Sequence, residues 1–409
     1  MANRPTFVIV GASLAGGRAA QVLRKEGFDG RLVLIGAEAD PPYERPPLSK
    51  EYLRGESARE KLFIAPPAFY DENDIELRLG VTAKRVDTQG RIVELESGER
   101  IPFDALLLTT GGRPRALPVQ GTELEGVYYL RDIGDSERIG AELDGGRRLV
   151  VVGAGFIGSE VAASAKRKNL EVTVLEVGPV PLERALGREV GGIFAEIHRD
   201  HGVELRTGQG VERFEGERRV ERVIATGGEA VDCDLVVIGV GIEPNTEIAE
   251  GTAISVDNGI VVDEYCQTDV EGIFAAGDVA NYYSPVLDQR LRVEHWENAQ
   301  SQGRAAALNM LGRKEPYNNV PWFWSDQYDL NMQLVGHAAS WDEVVFRGDV
   351  RERKFTAFYL KDGRLLAALS VNRFRDIRPS RKIVEAGLDI DARKLQDEDV
   401  DLRSLLPST

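Results

Sequence analysis

The chain of 409 residues holds two to four domains at roughly 100–200 residues each, enough for a large core without disulfide staples. Its 51 Lys and Arg against 67 Asp and Glu leave a net charge of −16. That balance argues against nucleic-acid binding through phosphate contacts and against an anionic membrane surface as a partner.

Met1 to Pro5 runs directly into the short apolar stretch Phe7–Val10, ended by Gly11, so neither a signal-peptide core nor a spanning helix is expected there. No later stretch reaches the ~18 consecutive apolar residues of a membrane helix. Thr6–Val10 predicts a strand, Gly11-Ala12-Ser13-Leu14-Ala15-Gly16 a tight turn, the run to Glu26 a helix, and Arg31–Ile35 a second strand with Glu38 beyond it. The plan returns at Leu149–Val152, Gly153-Ala154-Gly155-Phe156-Ile157-Gly158, a helix to Lys168, and Glu171–Leu175 ending at Glu176. Each copy is followed by alternating strands and then by an aspartate leading an apolar strand into glycine, Asp104 to Gly111 and Asp234 to Gly239. Two related nucleotide-binding domains are implied.

The glycines of such a turn bring backbone N–H groups up to a pyrophosphate at the positive end of a helix, and the acid beyond the second strand accepts from a ribose. Glu38 lies 22 residues past Gly16 and Glu176 lies 18 past Gly158, both near the usual spacing of about 20. A lone glycine motif also serves purely structural packing; two, each with strand, helix and acid in place, point to nucleotides. The first copy departs from the pattern at Ser13, whose Cβ is expected to restrict φ and whose hydroxyl is a possible donor to phosphate.

Further along, Glu297 to about Leu311 predicts a helix. Val344–Arg347 and the runs Phe355–Leu360 and Leu365–Leu369 around Asp362-Gly363 predict an antiparallel sheet, and Ser380–Ala386 a helix. Trp322, Phe323 and Trp324 read as core aromatics. Arg373, Arg375, Arg378, Arg381 and Lys382 stand against Asp376 alone, a basic run in a chain that is acidic overall.

Several strings resemble a known family: Pro42-Tyr43-Glu44-Arg45-Pro46-Pro47-Leu48-Ser49-Lys50, Thr110-Gly111-Gly112-Arg113-Pro114, Gly277-Asp278, Glu294-His295-Trp296 and Trp322-Phe323-Trp324-Ser325-Asp326-Gln327-Tyr328. They resemble the FAD-dependent NADH:ferredoxin reductases that feed oxygenases, and the likeness runs along essentially the whole chain. The fold implied is α/β, with two Rossmann-like dinucleotide-binding domains of glutathione-reductase type plus a C-terminal α+β domain. The division expected is a discontinuous FAD domain at 1–112 and 244–320, an NADH domain at 113–243 and the C-terminal domain at 321–409.

By this resemblance Gly11, Ser13, Ala15, Gly16, Glu38, Arg45, Lys50, Ala83, Thr110, Gly111, Arg131, Asp278 and Trp296 bind FAD. Thr268, nine residues before Gly277, completes a second flavin fingerprint in which Asp278 bonds the ribityl chain. NADH falls to Gly153, Gly155, Ile157, Gly158, Glu160, Glu176 and Gly241. Here a physical argument agrees, because Glu176 accepts from a 2′-hydroxyl but repels a 2′-phosphate, and neither Val177 nor Gly178 supplies an arginine. Lys50 and Glu160 are the implied catalytic-site pair, an ammonium beside flavin N5 and its carboxylate partner. His295 is expected to pack rather than to transfer protons.

The only cysteines, Cys233 and Cys266, form no CxxC pair and no zinc knuckle, which points to reduced cytoplasm and away from thiol chemistry; no metal is expected. Electrons are then expected to leave the flavin directly and singly. The resemblance implies as their acceptor a [2Fe–2S] ferredoxin serving an oxygenase, a cytochrome P450 or a ring-hydroxylating dioxygenase, with Trp322, Phe323 and Trp324 as a gate or shield between flavin and acceptor. The basic run 373–382 is the expected docking patch for that acidic protein, on a monomer or homodimer. Two alternatives stay open: a stand-alone NADH oxidase or small-acceptor reductase, and an NADH-sensing flavoprotein of apoptosis-inducing-factor type.

Overall fold

The computed structural model describes residues 4–407. Thr6–Val10, Leu14–Lys25 and Arg31–Ile35 form the first strand, helix and strand, and Arg148–Val152, Phe156–Arg167 and Glu171–Glu176 form the second set. Each set nucleates a five-stranded parallel sheet. In the first, the order is Ile273–Ala275, Ala105–Leu108, Thr6–Val10, Arg31–Ile35, Ile75–Arg78; in the second, Val203–Thr207, Glu171–Glu176, Arg148–Val152, Leu235–Ile238, Val127–Tyr129. Unbroken apolar runs such as Leu106-Leu107-Leu108 and Val150-Val151-Val152 are buried throughout, as strands covered on both faces must be.

The duplication is topological. In both sheets the glycine-ended strand is central, with the acid-ended strand on one side and the aspartate-led strand on the other. The repeated aspartates hold matching places, since the Thr6 N–H donates to Asp104 Oδ2 at 2.7 Å and the Arg148 N–H donates to Asp234 Oδ2 at 2.9 Å. Each carboxylate ties off the first backbone donor of the central strand beside it, a group that otherwise lacks a ladder partner.

The alternating strands that follow each glycine unit form three-stranded sheets, Ala83–Asp87, Ile92–Leu95, Arg100–Pro102 and Val211–Glu215, Arg222–Ala225, Ala230–Asp232. The C-terminal region is a five-stranded sheet ordered Trp322–Gln327, Leu330–Gly336, Arg364–Val371, Lys354–Lys361, Glu343–Asp349, followed by the helix Ile377–Ala386. Asp362 and Gly363 both take positive φ, +51° and +79°, the conformation that a two-residue hairpin turn demands.

The chain packs as two compact units. One comprises the residues up to Glu44, Arg59–Arg113 and Glu243–Phe323; the other comprises Arg45–Ala58, Pro114–Ile242 and the residues from Trp324 onward. This differs from the expected division in two places: residues 45–58 group with the second nucleotide fold, and so does most of the C-terminal region. For 45–58 the cause is local. Ser136 Oγ donates to the Leu48 carbonyl at 2.8 Å, Ser164 Oγ donates to the Ser49 carbonyl at 2.7 Å, and Leu53 is buried in the same apolar cluster as Ile139, Leu149 and Val161.

Candidate functional site

Both glycine turns are built the same way. Gly11 has a φ of +118° and a Cβ there would lie 2.1 Å from the Thr109 carbonyl oxygen; Gly153, at +96°, would meet the Gly239 oxygen at 2.5 Å. A Cβ on Gly16 or Gly158 would lie 2.0 Å from the carbonyl oxygen of Gly11 or Gly153, so helix and strand touch through backbone alone. The middle position differs. Ser13 has φ −117° and ψ −155°, extended backbone open to any residue, and Gly155 is extended as well at φ −74°. The expected restriction at Ser13 therefore does not arise, and the serine costs the turn nothing.

The helices that begin at these turns are left open at their N-termini. Leu14–Lys25 starts at Ser13 without a side-chain cap bond, Phe156–Arg167 starts at Gly155, which has no side chain, and neither carries an acid in its first turn. By contrast, Ile133–Gly145 begins with a full capping box in which Asp132 and Asp135 each accept from the other's N–H. Uncapped first-turn N–H groups beside a backbone cradle are the donor set a pyrophosphate fits.

The acids follow. Glu176 Oε2 accepts from the Ala154 N–H at 2.6 Å and its Oε1 from the Gly178 N–H at 2.7 Å, so the carboxylate is fixed at the second turn. Glu38 is half-buried and accepts from the Tyr43 hydroxyl. Ile157, within the second glycine turn, and Val177, next to Glu176 in the chain, are apolar side chains 45% and 76% exposed.

Lys50 and Glu160 form a buried ion pair. Nζ donates to Glu160 Oε2 at 2.8 Å and to the Pro46 carbonyl at 2.9 Å. Sequence reasoning missed two further partners: Ser49 Oγ donates to Oε2, and Ser325 Oγ donates to Oε1 at 2.6 Å. In the same unit Arg45 donates to the Arg131 carbonyl at 2.5 Å, while the Arg131 N–H donates to Asp135.

In the other unit, Thr110 Oγ1 donates to the Asn245 carbonyl at 2.6 Å and the Asn245 N–H donates to the Gly111 oxygen at 3.0 Å. Ala83 opens the strand Ala83–Asp87 and is half-buried. The Gly277 N–H donates to buried Gln302 at 2.9 Å, and the half-buried Asp278 offers its carbonyl to Arg292. Trp296 opens the helix Trp296–Met310, and His295 packs on Phe323 with ring centroids 4.5 Å apart. Back in the unit of Lys50 and Glu160, Gly241 is exposed and accepts from the Arg115 N–H at 2.9 Å.

A family model described as pyridine nucleotide-disulphide oxidoreductase matches residues 5–303, and one described as reductase C-terminal matches residues 322–406. The chain belongs to the pyridine nucleotide-disulphide oxidoreductase family. It is 41% identical to rhodocoxin reductase of Rhodococcus erythropolis over 97% of this chain and 93% of that one. It is 38% identical to the ferredoxin–NAD(+) reductase component of the anthranilate 1,2-dioxygenase system of Burkholderia cepacia, over 98% and 99%. Among solved structures, the reductase of the covalent putidaredoxin reductase–putidaredoxin complex superposes with a TM-score of 0.95 at 37% identity, covering 98% of both chains. FAD and NAD(H) are the cofactors of this membership, and the two open, uncapped glycine turns fit two dinucleotides.

Members of this oxidoreductase family that reduce disulphides need a reactive thiol. Here Cys233 and Cys266 are both buried and unpaired, and burial pushes each thiol up to about 12, so both stay protonated. The basic run requires one correction. Arg373 is buried, its guanidinium donating to Asp376 at 3.0 Å and to Glu398 at 2.6 Å, so it is not part of an outer patch. Arg375, Arg378 and Lys382 are exposed, and Arg381 is half-buried and donates to Glu385. Phe374, 67% exposed, projects among them, an apolar side chain that counting charges does not reveal. No helix among the described residues is long and apolar enough to cross a membrane.

Proposed function

We propose that this chain is an NADH:ferredoxin oxidoreductase that supplies an oxygenase through a [2Fe–2S] ferredoxin. The observation that carries the reading is likeness along the whole chain, C-terminal region included, to reductases named for oxygenase systems and a ferredoxin partner. When bound, FAD supplies the conversion of a hydride's electron pair into single-electron steps.

The residues divide the work. Gly11, Ser13, Ala15, Gly16 and Glu38 hold the adenosine diphosphate half of FAD; Arg45, Ala83, Thr110, Gly111, Arg131, Asp278 and the Trp296 backbone hold the rest. Gly153, Gly155, Ile157, Gly158, Glu176 and Gly241 bind NADH. Lys50 and Glu160 act where the hydride arrives, a fixed ammonium stabilising negative charge as it develops and a carboxylate keeping that ammonium in place. The nucleotide domains are 1–112 with 244–320 and 113–243, the segment 45–58 packing with the second, and 321–409 is the partner-facing domain. Docking falls to Arg375, Arg378 and Lys382 around Phe374, a local positive field on an acidic protein. Two buried, reduced cysteines agree with a cytoplasmic enzyme; it works as a monomer or homodimer.

The test is NADH-driven cytochrome c reduction by the flavin-loaded protein. Turnover is slow alone and rises sharply on adding a [2Fe–2S] ferredoxin. Unchanged turnover across a panel of such ferredoxins, with rapid NADH consumption by oxygen, would instead identify an NADH oxidase.

A further inference from the structure

Glu160 is surrounded more completely than an ion pair requires. Its Oε2 receives the Lys50 ammonium and the Ser49 hydroxyl, both from the segment Arg45–Ala58. Among the described residues its Oε1 receives only the Ser325 hydroxyl, at 2.6 Å, from the strand Trp322–Gln327. Ser325 and Glu160 are 1% and 3% exposed, so bulk water cannot replace the hydroxyl if it is lost.

The direction of the Ser325 proton follows from its neighbour. Gln327 Nε2 donates to Ser325 Oγ at 3.3 Å, which uses a hydroxyl lone pair and leaves the single O–H for Glu160. Strand alternation makes this arrangement: Phe323, Ser325 and Gln327 are buried, while Trp322 and Trp324 lie half-buried on the opposite face. A serine inside a strand otherwise flanked by aromatics is explained by the carboxylate it meets. Lys50 and Ser49 pull on one oxygen; without a donor on the other, nothing in this set fixes rotation about the last carbon–carbon bond of Glu160.

We propose that Ser325 is a positioning residue for hydride transfer, orienting Glu160 so that Lys50 is held at the reacting centre and partly neutralising the carboxylate charge there. This rests on the proposed role of the Lys50–Glu160 pair. It makes the C-terminal strand a contributor to the flavin chemistry as well as to the partner-facing domain.

The experiment is a double-mutant cycle in the flavin-loaded full-length enzyme, combining Ser325→Ala with Glu160→Gln, plus Ser325→Thr and Lys50→Met as single variants. Anaerobic flavin reduction is followed by stopped flow, and the flavin midpoint potential by equilibrium titration. Ser325→Ala is expected to slow reduction at saturating NADH about tenfold, the loss of one charge-assisted hydrogen bond, with little change in the NADH concentration for half-saturation. It also lowers the midpoint potential, because the carboxylate charge is less screened. Ser325→Thr restores both, and Ser325→Ala has no further effect on rate or potential in the Glu160→Gln background. An equal loss in that background, or no loss while Glu160→Gln itself is slow, would overturn the role of Ser325 and leave the pair's role standing. Unchanged rates in both Glu160→Gln and Lys50→Met would overturn the pair and Ser325 together.

Discussion

A carboxylate at the end of a strand has a preferred ligand only if something holds it still, and Glu176 is held by two backbone N–H groups, from Ala154 and Gly178. Fixed there with Val177 open beside it, the charge repels a 2′-phosphate. Glu176→Ala combined with Val177→Arg should therefore move the NADPH-to-NADH ratio of kcat/KM upward by roughly a hundredfold, equivalent to about 3 kcal/mol. Steady-state kinetics with both coenzymes checks it, and an unchanged ratio would remove Glu176 from coenzyme choice. The grounds for this proposed preference, an acid followed by no arginine, were legible in Glu176-Val177-Gly178 alone. The harmlessness of Ser13 was not, because its extended backbone follows from how the turn closes on Thr109. Ser325 stands within a family string, yet no composition or period marks a serine as a partner for a carboxylate 165 residues away.

At the scale of elements, local pattern located the two strand–turn–helix units, the Asp362-Gly363 hairpin and the strands that flank it. The helix read at Ser380–Ala386 begins earlier, at Ile377, and the strands Trp322–Gln327 and Leu330–Gly336 and the helices Ile133–Gly145 and Glu183–Asp200 were not read from the sequence. The basic run misled at one position because charge counting treats every arginine as exposed. Arg373 instead joins the strand Arg364–Val371 to the helix Ile377–Ala386 through Asp376, which also accepts from Thr356 Oγ1 at 2.9 Å. Arg373→Ala takes from that buried carboxylate its hydrogen-bonded cation, leaving Arg347 Nε 3.9 Å away, and should cost about 2 kcal/mol of stability. Arg375→Glu with Arg378→Glu should leave the melting temperature unchanged while raising KM for ferredoxin and flattening its salt dependence. Thermal unfolding and ferredoxin titrations at several ionic strengths separate the two. Wild-type stability in the Arg373 variant would refute the buried-pair account.

Acid stability belongs to the whole molecule, and one buried histidine gives it a recognisable limb. His198 Nδ1 is bonded to the Tyr328 hydroxyl at 2.7 Å, His201 stacks on that tyrosine ring at 3.8 Å, and Asp329 lies 3.5 Å from His201. Burial, reinforced by His201, pushes the His198 imidazole down from 6.5 to about 4. The unfolded chain takes up this proton first, so the contribution is complete above pH 6.5 and is lost as pH falls from there to about 4, by up to ~3 kcal/mol. Denaturant midpoints across that range should decline in the wild type and less steeply in His198→Asn; parallel curves would discard His198 as the cause.

Sequence alone determined the duplicated strand–turn–helix units, their acids, the lack of a thiol pair and the charge on which the proposed coenzyme preference rests. Each of these is decided within some twenty residues, by φ at a glycine, by side-chain period or by charge at one carboxylate. Tertiary structure decided the rest. It grouped residues 45–58 with the second nucleotide fold, closed Lys50 and Glu160 across 110 residues, brought Ser325 to the same carboxylate and buried Arg373 among acids. A charge or hydroxyl carries no local sign of its partner, because the energy of pairing depends on desolvation that exists only once distant segments have met.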